Sequence, residues 1–276
     1  MSKIAVVTGA NKGIGFCIAE QLCEKLGPDS IVYLTARDVG RGEKAVQDLA
    51  EKGLKPKFHQ LDIASVDSIR TFASFLKETH GGLDILVNNA GIAFMNDKGI
   101  PFSEQAEKTI EVNYTGLVNV CKELFPLLRP HSRVVNVSSM LIRMTLKKFS
   151  PEMHERVKSE MTMDELGAFM QEFVELAKAG THQEKGFSNS AYSVSKIGVT
   201  KLSYIQQKLF DTDEREDIIV NACCPGFCKT DLNGHRGAKS PQDGADTPVY
   251  LALLPPGTVE PKGEHVEDRK IIKTLE

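Results

Sequence analysis

The chain has 276 residues, of which 41% are hydrophobic and 26% charged, and its formal net charge at pH 7 is -3. A chain of this length and composition buries enough apolar surface to fold without disulfides or metals. The slightly acidic balance disfavours nucleic acid as a main partner, because phosphate backbones are bound by basic surfaces. No stretch approaches the roughly 20 apolar residues that cross a membrane, so we also expect no membrane partner.

Cysteine usage and the N-terminus indicate the compartment. Neither CxxC pairs nor Cys/His clusters with zinc spacing occur among the six cysteines, which are Cys17, Cys23, Cys121, Cys223, Cys224 and Cys228. The apolar run at the N-terminus is short and meets Thr8-Gly9 at once, which is not the pattern of a secretory signal. We therefore expect reduced thiols, no bound metal and a cytoplasmic location.

Short strands rich in Val and Ile alternate with amphipathic helices along most of the chain. The predicted strands cover residues 4–7, 31–34, 58–62, 85–87, 133–137 and 218–221, and the predicted helices cover 14–26, 45–49, 69–76, 110–128 and 190–210. Nearly continuous apolar strands are typical of a parallel sheet covered on both faces. The pattern predicts a doubly wound α/β domain, the Rossmann fold, extending over residues 1–276 as a single domain.

A glycine-rich loop separates the first strand from the first helix. Gly9, Gly13 and Gly15 have the spacing GxxxGxG. Glycine allows the backbone to turn tightly and to approach a pyrophosphate, and the N–H groups at the start of the helix that follows bind the anion. Strand, loop and helix in this order predict a dinucleotide site.

The end of the second strand indicates which dinucleotide is bound. A site specific for NAD carries an acidic residue there to hold the ribose 2′-hydroxyl. This chain has Arg37 at that position, and Lys12 supplies a second cation in the glycine-rich loop. Because a guanidinium grips a phosphate with two hydrogen bonds, the sequence predicts NADP(H). Asp38 follows directly and would weaken this prediction if it faced the ribose.

Four residues form the candidate catalytic set. Tyr192 and Lys196 lie four positions apart on a predicted helix and share one face. A nearby ammonium lowers the pKa of a tyrosine, so Tyr192 is the candidate general acid toward a developing alkoxide. Ser139 follows the strand at 133–137, at the sheet edge where ligands bind, and could hydrogen-bond the substrate carbonyl. Asn113 lies in the predicted helix at 110–128, before that strand. It is the fourth candidate because a buried amide needs polar partners.

The segment from about residue 141 to 180 interrupts the alternation of strands and helices. Residues 162–165, Thr-Met-Asp-Glu, resemble a capping box at a helix N-terminus. The apolar residues of the segment have helical spacing, so one face should be buried: Met161, Leu166, Phe169, Met170, Phe173, Val174 and Leu176. We predict a helical insertion between the Ser139 and Tyr192 motifs.

Taken together, these motifs resemble the short-chain dehydrogenase/reductase family. The matching pieces occur in family order and are Thr8-Gly9-x-x-x-Gly13-x-Gly15, Asn88-Asn89-Ala90-Gly91, Asn113, Ser139, Tyr192-x-x-x-Lys196 and Pro225-Gly226. Residues 37–39, 88–94, 221–226 and 247–256, together with the long insertion, look like the cytosolic NADPH-dependent carbonyl reductases of that family. The resemblance therefore implies hydride transfer from NADPH to aldehydes, ketones or quinones, which are small-molecule carbonyl substrates.

The resemblance also implies a role for each residue. Ser139 would orient the carbonyl, Tyr192 would protonate it, Lys196 would hold the nicotinamide ribose, and Asn113 would hold a water of the proton relay. The implied cofactor-binding residues are Gly9, Asn11, Lys12, Gly13, Ile14, Gly15, Arg37, Asp62, Ile63, Asn89, Tyr192, Lys196, Cys228, Lys229 and Thr230. The implied substrate-binding residues are Phe94, Gln105, Ser139, Cys224 and Phe227. Some carbonyl reductases bind glutathione near such a cleft, so glutathione or its conjugates are a further candidate ligand.

Other interpretations of the function of these residues stay open at this point. One is an alcohol, steroid or prostaglandin dehydrogenase acting oxidatively, which would use the same residues. Another is a catalytically weak NADP(H)-binding sensor, although the candidate catalytic set is complete. A hydrolase with Cys224 as nucleophile would need a histidine partner that the sequence does not reveal. We also expect a monomer, because the insertion should cover the helix face through which most relatives pair.

Overall fold

The computed structural model describes residues 2–94 and 99–275. Its strands form a single sheet with the order β3-β2-β1-β4-β5-β6-β7-β8. In chain order they are β1 (Ile4–Val7), β2 (Ile31–Ala36), β3 (Lys57–Gln60), β4 (Leu83–Asn88), β5 (Leu128–Val137), β6 (Ile219–Cys224), β7 (His265–Glu267) and β8 (Lys270–Ile271). The pairs from β3 to β7 are parallel, whereas β7 and β8 pair antiparallel. The predicted doubly wound parallel sheet is confirmed, with one short antiparallel strand added at its edge.

Helices cover both faces of the sheet. They are α1 (Gly13–Leu26), α2 (Val39–Ala50), α3 (Val66–His80), α4 (Phe102–Ile110), α5 (Leu117–Leu124), α6 (Leu141–Leu146), α7 (Pro151–Lys158), α8 (Met163–Lys178), α9 (Ala191–Phe210) and α10 (Pro241–Ala252). Because side chains alternate along a strand, Ala5 and Val7 pack in one apolar cluster with α1 and α10. Ile4 and Val6 pack on the opposite face with α3 and α5. This two-sided burial explains why the strands are nearly all apolar.

The insertion between Ser139 and Tyr192 consists of α6, α7 and α8. The predicted capping box is confirmed, because Thr162 and Glu165 exchange hydrogen bonds at the start of α8. Five of its predicted apolar residues are buried, namely Leu166, Phe169, Met170, Phe173 and Val174, whereas Met161 and Leu176 are only partly buried. They join a cluster that includes Ile110 of α4 and Val194 of α9, so the insertion packs against these two core helices.

Several predicted boundaries were wrong. The helix predicted over 110–128 begins earlier, as α4, passes through a π-helical turn at Glu111–Gly116 and ends with α5. Residues Phe125–Leu127 form a 3-10 turn that contains Pro126, and Leu128 already belongs to β5. A proline has no backbone N–H for the helical ladder, which explains the early end. The third strand stops at Gln60, and α10, β7 and β8 were not predicted.

Two further features concern membrane-spanning helices and thiols. No helix in the described ranges is long and apolar enough to cross a membrane. All six cysteines are free thiols, and only Cys23 is less than fully buried. Free, buried thiols fit a reduced protein whose core depends on apolar packing rather than on cross-links.

Candidate active site

The glycine-rich loop between β1 and α1 has a backbone that requires glycine. Gly9 and Gly13 both adopt positive φ, at 62° and 59°, a region that residues with a Cβ rarely occupy. A Cβ on Gly9 would lie 2.8 Å from Cα of Ala90, and a Cβ on Gly15 would lie 2.4 Å from Nδ2 of Asn89. The loop is therefore pressed against the residues that follow β4.

The start of α1 is not capped by its N-cap side chain. Lys12 is its N-cap residue, and the Lys12 side chain makes no capping hydrogen bond. By contrast, Asp38 caps α2 and Ser65 caps α3 through their side chains. The first N–H groups of a helix have no partner within the helix, so an uncapped N-terminus is ready to bind an anion. With Asn11 and Ile14 on either side of Lys12 and Gly13, this loop fits the phosphates of a dinucleotide.

Asn89 supports the glycine-rich loop from the neighbouring strand. Its side-chain amide donates hydrogen bonds to the carbonyls of Thr8 at 2.9 Å and Gly9 at 3.1 Å. In return, the Thr8 hydroxyl accepts hydrogen bonds from the backbone N–H groups of Asn89 and Ala90, both at 3.0 Å. Asn89 is thus a structural link between β1 and β4, and its predicted contact with the cofactor stays a prediction.

Arg37 is exposed immediately after β2. The next residue, Asp38, is paired with Arg41. Its carboxylate accepts a hydrogen bond from the Arg41 backbone N–H at 2.8 Å and another from the Arg41 guanidinium at 3.1 Å. Arg41 also holds the pKa of Asp38 below its usual range. Asp38 is therefore paired within its own helix turn, and Arg37 acts on its carboxylate only through a smaller electrostatic effect. Arg41 is a second cation here that the sequence analysis did not single out.

Asp62 and Ile63, two of the predicted cofactor-binding residues, follow β3. Asp62 accepts a hydrogen bond from the Ala64 N–H at 3.0 Å, which closes a tight turn. Ile63 is buried, and its carbonyl lies so close to Gly116 that a Cβ there would be 2.7 Å from it. This turn therefore packs directly against the π-helical segment that carries Asn113.

Tyr192 and Ser139 are brought together by the fold. Tyr192 lies in the first turn of α9, whose N-cap is Ser190, and Ser139 lies just beyond the end of β5. The Ser139 side chain lies close enough to the Tyr192 phenol to lower its pKa. Burial raises the pKa of Tyr192 to about 12, against a smaller lowering by Ser139. A tyrosine with this pKa keeps its proton at neutral pH and can act as a donor.

The two adjacent serines point in different directions. The buried Ser138 hydroxyl lies 2.6 Å from the Thr200 hydroxyl and donates to the carbonyl of Lys196 at 3.2 Å, so it links β5 to α9. The Ser139 hydroxyl accepts a hydrogen bond from the Leu141 N–H at 3.2 Å and is the one that contacts Tyr192. Successive side chains of an extended backbone point to opposite sides, which explains why the two hydroxyls have different partners.

Lys196 is almost completely buried, with 4% of its surface exposed. Its ammonium donates a 2.6 Å hydrogen bond to the carbonyl of Val137 and lies 5.8 Å from the centre of the Tyr192 ring. Burial lowers the pKa of Lys196 to about 8. Lys196 is not among the groups that shift the Tyr192 pKa in this arrangement, in which burial of the phenol is the largest cause and raises it.

Asn113 lies in the π-helical turn rather than in a regular helix. Its side chain exchanges hydrogen bonds with the backbone of Ile92, at 2.8 and 3.0 Å, and donates to the Ser195 hydroxyl at 3.0 Å. A Cβ on Gly91 would lie 3.1 Å from Oδ1 of Asn113 and 3.7 Å from Nζ of Lys196. Such π-helical turns are often found at functional sites, and this one joins the loop after β4 to α9.

Cys224 ends β6 beside the Ser139–Tyr192 pair. Its sulfur accepts a hydrogen bond from the Gly226 N–H at 3.2 Å and lies 3.7 Å from Oε1 of Glu267, so its contacts do not include a histidine. Burial raises the pKa of Cys224 to about 12, which keeps the thiol protonated. A protonated thiol without a base is a poor nucleophile. The hypothesis of a hydrolase with Cys224 as nucleophile is therefore not supported.

The remaining predicted substrate residues lie on three separate segments. Phe94 follows β4 and is partly buried, whereas Phe227 follows β6 with 44% of its surface exposed. Gln105 lies in α4, and its amide donates to the Ile100 carbonyl at 2.8 Å. Residues 95–98, between Phe94 and Gln105, lie outside the described part of the chain. No group of three His, Cys, Asp or Glu side chains that could hold a metal occurs among the described residues.

The loop after β6 returns over the glycine-rich loop. Cys228 is buried, and Lys229 donates its backbone N–H to the Lys239 carbonyl at 2.9 Å. The Thr230 methyl group would lie 3.6 Å from a Cβ on Gly13. The predicted cofactor residues at 228–230 and those at 9–15 therefore face each other across the edge of the sheet.

A glycine-rich loop before a helix that no side chain caps, an exposed arginine after β2, and Ser139, Tyr192 and Lys196 at the same sheet edge are features of a dinucleotide-dependent oxidoreductase. The sequence profile of the short chain dehydrogenase family matches residues 3–151, and the chain belongs to this family. Carbonyl reductase (NADPH) 1 of Rattus norvegicus is 52% identical over 270 residues, which are 97% of each chain. The protein of that name from Homo sapiens is 50% identical with the same coverage.

The fold agrees with this assignment. The solved structure of salutaridine reductase from Papaver somniferum superposes on this chain with a TM-score of 0.84 at 29% identity. The match covers 96% of this chain and 99% of the plant enzyme, so the insertion and the core sheet are both included.

Proposed function

We propose that this protein is an NADPH-dependent carbonyl reductase that transfers hydride to aldehydes, ketones or quinones. The observation that carries the proposal is the placement of Ser139 and Lys196 beside Tyr192: Ser139 acts on the Tyr192 pKa, and Lys196 Nζ lies 5.8 Å from the centre of the Tyr192 ring. About half of the residues are identical to mammalian carbonyl reductases over nearly the whole chain, and this supports the same reaction.

The proposed cofactor site has two anion-binding parts. The uncapped N-terminus of α1 would hold the pyrophosphate, and Arg37, Lys12 and Arg41 would surround the 2′-phosphate. When bound, NADPH supplies the hydride. The protein contributes position, since glycines at 9, 13 and 15 let the backbone approach the phosphates closely.

The proposed proton transfer uses the protonated phenol of Tyr192. Because its pKa is about 12, the proton is present at neutral pH and can pass to the oxygen of the developing alkoxide. Ser139 would donate a hydrogen bond to the same oxygen and so stabilise its growing negative charge. An oxidative dehydrogenase would use the same groups in reverse, but the names of the relatives favour reduction.

Three finer proposals accompany this function. A monomer is supported by the packing of α8 against α4 and α9, which covers these helices internally. A cytoplasmic location is supported by the free cysteines and by the absence of a membrane-spanning helix among the described residues. Glutathione or a conjugate is the proposed second ligand, to be held near Gln105 and Phe94.

A substrate panel tests the function. The purified protein should oxidise NADPH when given quinones and aromatic or aliphatic carbonyls, followed by the loss of reduced-nicotinamide absorbance. Steroids and prostaglandins with keto groups belong in the same panel, and glutathione conjugates of carbonyls test the second ligand. If no member of the panel supports NADPH oxidation, the proposal is rejected.

A further inference from the structure

An ion pair joins the two loops that face each other across the proposed cofactor site. Nζ of Lys12, next to Gly13, lies 2.6 Å from Oδ2 of Asp231, in the short turn Asp231–Asn233 after β6. The other carboxylate oxygen of Asp231 lies 2.9 Å from Nε2 of His235. Both members of the Lys12–Asp231 pair are more than half exposed, so they can exchange partners readily.

The turn that carries Asp231 is firmly built. Thr230 and Asn233 exchange hydrogen bonds as a capping box, and the buried Asn233 amide donates to the Cys228 carbonyl at 2.8 Å. Thr230 itself packs near Gly13. The position of the Asp231 carboxylate beside the glycine-rich loop therefore follows from ordered structure on both sides.

An acidic side chain at this place is unexpected for an anion site. The hydrogen bond from Lys12 holds the pKa of Asp231 below its usual range, so the carboxylate is charged at neutral pH. A dinucleotide brings phosphates to the same loop, and Lys12 can neutralise either the phosphate or Asp231. One cation thus faces two anions that compete for it.

We propose that Asp231 sets the affinity for NADP(H) by competing with the 2′-phosphate for Lys12. This inference rests on the proposed function, which assigns Lys12 to that phosphate. Binding requires Lys12 to leave Asp231, and release allows the pair to form again. Asp231 therefore weakens cofactor binding and favours exchange of NADP+ for NADPH after each turnover.

The test compares cofactor dissociation constants for the wild type and Asp231→Asn, which removes the charge and keeps the shape. The increase in reduced-nicotinamide fluorescence on binding gives the constant without turnover, and the chain has no tryptophan to interfere. We expect NADPH binding to tighten by up to roughly fivefold, which is the upper end of what an exposed ion pair contributes. NADH, which lacks the 2′-phosphate, should change less. In a Lys12→Ala background, Asp231→Asn should have no effect.

Asp211→Asn is the matched control. Asp211 is a similarly exposed aspartate that pairs with Lys262 at 2.7 Å, and its substitution changes the net charge by the same amount. It should leave NADPH binding unchanged. The inference is overturned if Asp231→Asn does not tighten NADPH binding, if NADH gains equally, or if the gain persists without Lys12. Each of these outcomes is separate from a failure of the proposed function, which would appear as absent carbonyl reduction by the wild type.

Discussion

The ammonium of Lys196 donates a hydrogen bond of 2.6 Å to the carbonyl oxygen of Val137, the last residue of β5. This contact fixes the middle of α9 to the strand end that carries both serines. It also places a cation in a nearly dry environment, which lowers its pKa to about 8. Lys196, which is proposed to hold the cofactor ribose, therefore has a pKa close to physiological pH.

The pH profile of the reductase should reflect this lysine. Because burial lowers the pKa of Lys196, its charge is present below about pH 8 and is lost as the pH rises above it. We expect kcat/KM for NADPH, which reports groups of the free enzyme, to fall above about pH 8. In Lys196→Arg the cation persists to much higher pH, so any residual activity should lack this decline. A wild-type profile that stays flat to about pH 9.5 would contradict the assignment.

Substitution of Tyr192 by Phe should remove turnover and retain NADPH binding. The ring still packs at the start of α9, but the proton donor is lost. Positioned proton transfer contributes roughly 10²–10⁴-fold, so kcat should fall at least that far. Tyr250→Phe, in α10, is the control and should keep full activity. Activity of Tyr192→Phe within about tenfold of the wild type would exclude Tyr192 as the donor.

The adjacent serines should give opposite results. Ser139→Ala should lower kcat by roughly 10²-fold, because a hydrogen bond to the developing alkoxide is lost, with little change in urea unfolding. Ser138→Ala should lower the free energy of unfolding by about 1–3 kcal/mol, because the buried Thr200 hydroxyl loses its 2.6 Å partner. If both variants lose turnover to a similar extent and both keep the wild-type free energy of unfolding, the assignment of catalysis to Ser139 and of stability to Ser138 is wrong.

The wild type should prefer NADPH to NADH. A charge-assisted hydrogen bond to the 2′-phosphate contributes about 1.5–3 kcal/mol, or roughly tenfold to a hundredfold in discrimination. Arg37→Ala should lose most of this preference, measured as the ratio of kcat/KM for the two cofactors. Arg70→Ala, on the outer face of α3 and paired with Glu123, serves as a control for the lost surface charge. Equal use of both cofactors by the wild type would reject the 2′-phosphate site.

The protein should be a monomer in solution. The apolar face of α8, including Phe169 and Phe173, is buried within the cluster shared by α4 and α9. A face that is covered internally no longer provides a hydrophobic driving force for pairing. Light scattering behind a sizing column should therefore give a mass near the 30.4 kDa of one chain. A mass of roughly twice that value would show that the insertion leaves room for a dimer.

Local patterns predicted much of this molecule because they depend on short-range physics. Apolar strand runs, the positive-φ glycines at 9 and 13 and the Thr162 capping box are dictated by burial and backbone sterics over a few residues. Alternation of these elements determined the doubly wound sheet, since parallel strands must be covered on both faces. The candidate catalytic residues followed from motif spacing and family resemblance.

Other features were decided only by tertiary contacts. The sequence did not reveal that Asp38 would be paired by Arg41, that Asn113 would lie in a π-helical turn, or that Asp231 would reach Lys12 from 219 positions away. The raised pKa of Tyr192 likewise depends on burial by packed neighbours, which the spacing of Tyr192 and Lys196 does not show. Motif spacing specifies which groups are available, whereas desolvation and long-range pairing depend on how distant segments pack, and these decide the charge that each group carries.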